Sequence, residues 1–113
     1  MHKTALALLV QGLRELYPAN LDGIYLCGSY ARGEARPDSD LDVAVVFREA
    51  TPHFEAMQKT APLRRVIWEV TGLLVDFAFL TAQQWERAQS KEPPAGLAEE
   101  IHQSLRAEAQ VLQ

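Results

Sequence analysis

The sequence predicts a domain of the α/β (α+β) class, a small mixed β-sheet flanked by helices. Three observations predict it. Leu6, Leu9, Val10, Leu13 and Leu16 recur at helical spacing in residues 4–17. Residues 41–48 alternate with period two, placing Leu41, Val43, Val45 and Phe47 on one face and Asp42, Ala44 and Val46, preceded by Asp40, on the other. Residues 73–80 are almost wholly apolar, which reads as a central strand.

The elements follow in order. The first helix stops at Pro18-Ala19-Asn20. Ile24 to Cys27 is a short strand bounded by Asp22-Gly23 and Gly28-Ser29. Ser29 to Gly33 is one helical turn with Gly33 as its terminator, and Glu34 to Ser39 is a loop marked by Pro37-Asp38-Ser39. After the strand at 41–48, Thr51 reads as an N-cap and Pro52 as the first helical position. That helix is expected to end at Gly72. Pro62 predicts a kink or break near Thr60-Ala61, and Leu63, Val66, Ile67 and Val70 make the buried stripe. Past the strand at 73–80, Thr81 caps a short helix holding Trp85. Lys91 to Gly96 is a linker, and residues 97–112 read as a last helix striped by Leu97, Ile101, Leu105, Ala109 and Leu112.

Composition narrows the function classes. The chain has 113 residues, the size of one domain spanning 1–113, and 48% hydrophobic residues suffice for a real core. A net charge of −4 offers no global basic field, so general nucleic-acid binding is disfavoured. The single cysteine, Cys27, excludes an internal disulfide and a cysteine zinc site and reads as a small core residue. No apolar run approaches the ~20 residues that span a bilayer. The start of the chain lacks a clean signal-peptide core, so the cytoplasm is the expected location.

The chemistry concentrates between Gly28 and Val46. Gly28-Ser29 is followed by ten residues and then by Asp40-Leu41-Asp42, which leads into the apolar strand. A Gly-Ser pair opening a turn can offer backbone N–H groups and a hydroxyl to a phosphate. Carboxylates two apart on a strand share a face and repel each other unless a cation lies between them. Mg²⁺, which also holds substrate phosphates, is the natural cation. Asp76 lies in the middle of the apolar strand, where an ionised carboxylate must be paired, hydrogen-bonded or metal-bound.

Gly28-Ser29, the ten-residue spacer and Asp40-x-Asp42, sharpened by Ala31-Arg32-Gly33 and Ser39-Asp40, resemble the signature of the nucleotidyltransferase superfamily typified by DNA polymerase beta. Together with the short chain they resemble its minimal members, the MntA-like antitoxins that pair with HEPN proteins. The resemblance implies the polymerase beta-like nucleotidyltransferase fold, with Asp76 as a third carboxylate on a neighbouring strand. It implies two metal ions, Mg²⁺ or in their place Mn²⁺, held by Asp40, Asp42 and Asp76, and a triphosphate donor, ATP or another NTP, held by Gly28 and Ser29. Attack at the α-phosphorus would move a nucleoside monophosphate to a hydroxyl. In the minimal enzymes that hydroxyl is a tyrosine of a HEPN toxin, encoded next door.

Other residues carry two readings each. Arg32 either contacts the triphosphate or braces the loop through a carboxylate, and Gly33 completes the same turn. Ser39 either caps the turn before the strand or touches substrate. Arg36 reads as solvated, Tyr30 as turn packing, Arg64-Arg65 as a solvated helix face, and His2, His53 and His102 as surface positions. Trp68 and Trp85 read as core or interface. Two further function classes compete: a small-molecule nucleotidyltransferase of the antibiotic-modifying kind, which usually carries a substantial helical domain, and a non-catalytic binding partner of a HEPN protein, which would have lost an acid of the triad. Homo- or hetero-oligomer formation stays open.

Overall fold

In a computed structural model, residues 2–88 and 110–111 are described. The element order is α1 (His2–Leu16), β1 (Leu21–Cys27), α2 (Gly28–Arg32), β2 (Leu41–Phe47), α3 (His53–Thr71), β3 (Val75–Thr81), α4 (Ala82–Ala88) and β4 (Gln110–Val111). The sheet runs β3-β2-β1-β4 and is mixed: β2 is antiparallel to β1 and parallel to β3, and β4 is antiparallel to β1. The parallel β2–β3 pair needs a crossover, which α3 supplies. No helix among the described residues is long and apolar enough to cross a membrane.

Strand β2 is buried on both faces, and its alternation divides the core. Leu41, Val43, Val45 and Phe47 join Leu9 and Leu13 of α1, Ile67 of α3 and Val75 and Phe77 of β3 in the main cluster. Ala44 faces the other way, with Cys27, Leu80 and Ala88 and the partly buried Tyr25 and Trp85. The rings of Tyr25 and Trp85 stack with centroids 4.0 Å apart. At the contact of α1 and α3, a side chain at Gly12 would run into Leu63, so the glycine allows close approach of the two helices.

Several expected boundaries hold. Gly33 and Gly72 end α2 and α3 in the left-handed conformation, each at φ 73°. The Thr81 hydroxyl accepts the Gln84 N–H at 3.1 Å, and the Gln84 side chain accepts the Thr81 N–H at 2.9 Å, a reciprocal capping box.

Others are corrected. Strand β3 stands at the edge of the sheet among the described residues, not at its centre, and Asp76 on it is exposed. Strand β1 begins at Leu21, with an irregularity between Leu21 and Gly23 that absorbs Asp22. Helix α3 begins at His53, and Pro52 before it makes no side-chain cap. Thr51 instead accepts the Asn20 amide at 3.2 Å, while Asn20 also exchanges hydrogen bonds with the Glu49 backbone. Helix α3 runs through Pro62 as one helix. Near it, the Arg64 guanidinium donates to the Met57 carbonyl at 3.0 Å, so Arg64 is half-buried rather than solvated. Leu63 and Ile67 face inward, but Val66 and Val70 are exposed; the inward stripe is completed by Ala56, Thr60 and Thr71. Gln110 and Val111 are in a strand, so the last helix does not extend to 112 as expected. The linker at 91–96 and the rest of that helix lie outside the described residues, as does His102.

Candidate active site

The candidate site lies where β1 ends and β2 and β3 begin. Asp42 is the second residue of β2 and Asp76 the second of β3, and the parallel ladder sets them side by side in register. On the other flank, Asp42 is opposite the buried Cys27, the last residue of β1. The chain then turns at Gly28, whose φ of 66° is the left-handed region that glycine alone enters freely. A Cβ on Gly28 would collide with the Asp42 carboxylate and come within 3.1 Å of its Cγ. Backbone and carboxylate are therefore in direct contact, with no room for a side chain between them.

The electrostatics follow from this placement. Partial burial raises the Asp42 carboxyl above its ordinary value, the Asp76 and then the Asp40 charges push it further up, and Arg32 pulls it back. All four groups thus act on one locus. They do not form one ligating cluster: among the described residues no three His, Cys, Asp or Glu side chains are gathered so as to hold a metal ion. Asp40 stands exposed in the loop just before β2 rather than on the strand with Asp42, and Asp76 is an exposed residue of β3. The donor set still suits a hard divalent cation. It is all oxygen and of one sign, and Asp42 carries a charge penalty that a cation would offset.

The smaller residues take these places. The Arg32 guanidinium pairs with Glu34 at 3.0 Å. The sequence did not single out Glu34 as the partner of Arg32; the Gly33 turn between them is the available signal. Ser39 accepts the Arg36 N–H at 2.8 Å in the turn before β2. Arg36 is exposed, and Ser29 is partly buried in α2, where its carbonyl accepts the Glu34 N–H at 2.9 Å. Tyr30 packs against the main core, with its ring 5.4 Å from that of His2.

A family model described as a nucleotidyltransferase domain matches residues 6–106. No curated protein matches the chain. Among solved structures, a minimal-nucleotidyltransferase assignment goes with a chain 28% identical, at a TM-score of 0.55, over 96% of this chain and 89% of that one. A complex of a tri-AMPylated Shewanella oneidensis HEPN toxin with an MNT antitoxin matches at 18% identity and TM-score 0.58, over 100% of this chain and 72% of that one. The spectinomycin adenyltransferase AAD(9) from Enterococcus faecialis, with ATP and spectinomycin, matches at 19% and 0.59, over 96% of this chain and 48% of that one. The last two likenesses show the fold. With the family model spanning most of its length, this chain belongs to the nucleotidyltransferase-domain family and is similar to its minimal members.

Proposed function

We propose that the chain, residues 1–113 acting as one domain, moves AMP from ATP to a hydroxyl acceptor. The observation that carries this reading is Asp42, pressed against the Gly28 turn on one side and in register with Asp76 on the other, with its charged form disfavoured. A site that disfavours its own negative charge in this way favours a ligand that brings cations. Asp40, Asp42 and Asp76 would hold two Mg²⁺ ions, or Mn²⁺. When bound, such ions neutralise the triphosphate and assist an in-line displacement.

The chain's own residues do the rest. Gly28 and Ser29 receive the β- and γ-phosphates on backbone N–H groups and a hydroxyl. Arg32, Gly33 and Ser39 shape the turn around them. Asp76, exposed beside Asp42, accepts the proton of the attacking hydroxyl. The acceptor oxygen bonds to the α-phosphorus as the bond to pyrophosphate breaks. Most of the rate comes from positioning and charge neutralisation.

For the acceptor, we infer a tyrosine of a HEPN-family protein encoded beside this chain, in the cytoplasm, with the antitoxin role that follows. The AMPylated HEPN complex supports this, its matched chain being covered over 72%, against 48% for the antibiotic adenyltransferase. The presence of all three carboxylates disfavours a purely covering role. The test is incubation with ATP labelled at the α-phosphate, Mg²⁺ and the neighbouring protein. Label is expected on that protein, and chelation is expected to remove it. Transfer that survives chelation would sink the metal scheme, and label on a small-molecule alcohol alone would sink the HEPN acceptor.

A further inference from the structure

We infer that Glu34 is a positioning residue, a latch that holds Arg32 in the nucleotide-free protein and competes with the triphosphate for its guanidinium. This deepens the nucleotide reading above and rests on it. The pair is short, 3.0 Å from the Arg32 Nε to the Glu34 carboxylate, yet the two side chains are 38% and 69% exposed. A pair of that kind adds little to stability and is readily exchanged for a stronger anion. Its geometry is built by the backbone. Arg32 is the last residue of α2, Gly33 turns the chain at φ 73°, and the Glu34 N–H is fixed on the Ser29 carbonyl at 2.9 Å. The turn thus ties the latch to Ser29, a proposed phosphate-binding residue, and returns the Glu34 carboxylate to Arg32.

Arg32 ends the same single turn, α2, that Gly28 opens against the Asp42 carboxylate. The guanidinium is therefore carried by the turn that borders the reacting centre while its Nε contacts Glu34. A triphosphate entering there offers several oxygens in place of one carboxylate. Bidentate contact with phosphate is the geometry a guanidinium prefers. On this account Glu34 sets a threshold for nucleotide entry: binding must displace it from Arg32 before Arg32 can turn to phosphate.

The experiment compares the full chain with Glu34→Gln and with Asp38→Asn, which removes the same charge from the same exposed loop. The probes are a non-hydrolysable ATP analogue with Mg²⁺ and inorganic tripolyphosphate, measured by calorimetry at low and physiological salt. Glu34→Gln is expected to bind both probes about two- to fivefold more tightly than wild type and to exceed Asp38→Asn by at least about twofold, with its melting temperature within a degree or so of wild type. Equal tightening in the two variants would mean a general field effect, and unchanged or weaker binding in Glu34→Gln would mean no competition; either overturns the latch. If the wild-type chain binds neither probe, the nucleotide reading itself fails and takes the latch with it.

Discussion

Gly28 and Asp42 share one volume: a methyl group on the glycine α-carbon would stand where the aspartate carboxylate is. The turn that would cradle phosphate and the acid at the centre of the site are thus a single packed unit. The glycine is required twice, by its φ of 66° and by the carboxylate against it. Neither requirement involves a ligand, so both can be tested on the protein by itself.

Gly28→Ala is expected to lower stability by about 1–2 kcal/mol from the left-handed backbone alone, with a further cost from the collision. For a domain of this size that is a fall in melting temperature of about 5–10 °C or more. Displacing Asp42 is also expected to cut nucleotidyl transfer by about tenfold or more. Thermal denaturation and a transfer assay check the two effects. A variant with wild-type melting and wild-type transfer would show that the turn tolerates a side chain.

Asp42→Asn tests the charge rather than the shape. The Asp42 carboxyl is raised above its ordinary value, first by burial, then by Asp76 and Asp40. The folded protein therefore holds that proton more tightly than the unfolded chain does. The resulting stability is full below the unfolded carboxylate value and is lost as pH rises through the raised folded value. In chelator-containing buffer, wild-type stability should fall over that window, and Asp42→Asn should show a smaller fall and melt at least as high at neutral pH. Transfer should be abolished in the same variant. A large loss of stability on Asp42→Asn at neutral pH would instead make Asp42 a structural residue.

What the sequence conveyed, and what it did not, follows from how local each signal is. The Gly33, Gly72 and Thr81 boundaries depend on a few neighbouring atoms, and the β2 alternation on the pleat, so all were legible. An apolar run cannot report which strands will flank it. Strand β3 reads as central yet stands at the edge among the described residues, and Asp76 on it is exposed while Val75 and Phe77 beside it are buried. The inward stripe of α3 was misread because two of its members are threonines. Thr60 and Thr71 satisfy their hydroxyls on the carbonyls of Ala56 and Ile67, at 2.8 and 2.7 Å, and so can be buried. Thr51 does not cap α3, and its hydroxyl instead accepts the amide of Asn20 from another loop, a contact that local sequence does not report. In the site, the motif marked Gly28, Asp40 and Asp42. The partnership of Arg32 with Glu34 needed the turn geometry.

Asp76 separates a catalytic from a structural role most directly, because its exposure removes the usual confusion between them. Among the described residues it is on an edge strand, and it is exposed, so Asp76→Asn should change the melting temperature little. It is also in register with Asp42 and is the foremost of the charges that raise the Asp42 carboxyl. Removing that charge should bring the Asp42 titration down toward the ordinary carboxylate value, which carboxyl-carbon NMR of the metal-free protein would read at that residue. If Asp76 takes the proton of the acceptor hydroxyl, the same substitution should lower transfer by about 10²-fold or more, while nucleotide affinity changes far less. Transfer at the wild-type rate would remove Asp76 from the chemistry. An unmoved Asp42 titration would mean that the two carboxylates do not face one another across the β2–β3 ladder, and the shared locus inferred for them would fall with it.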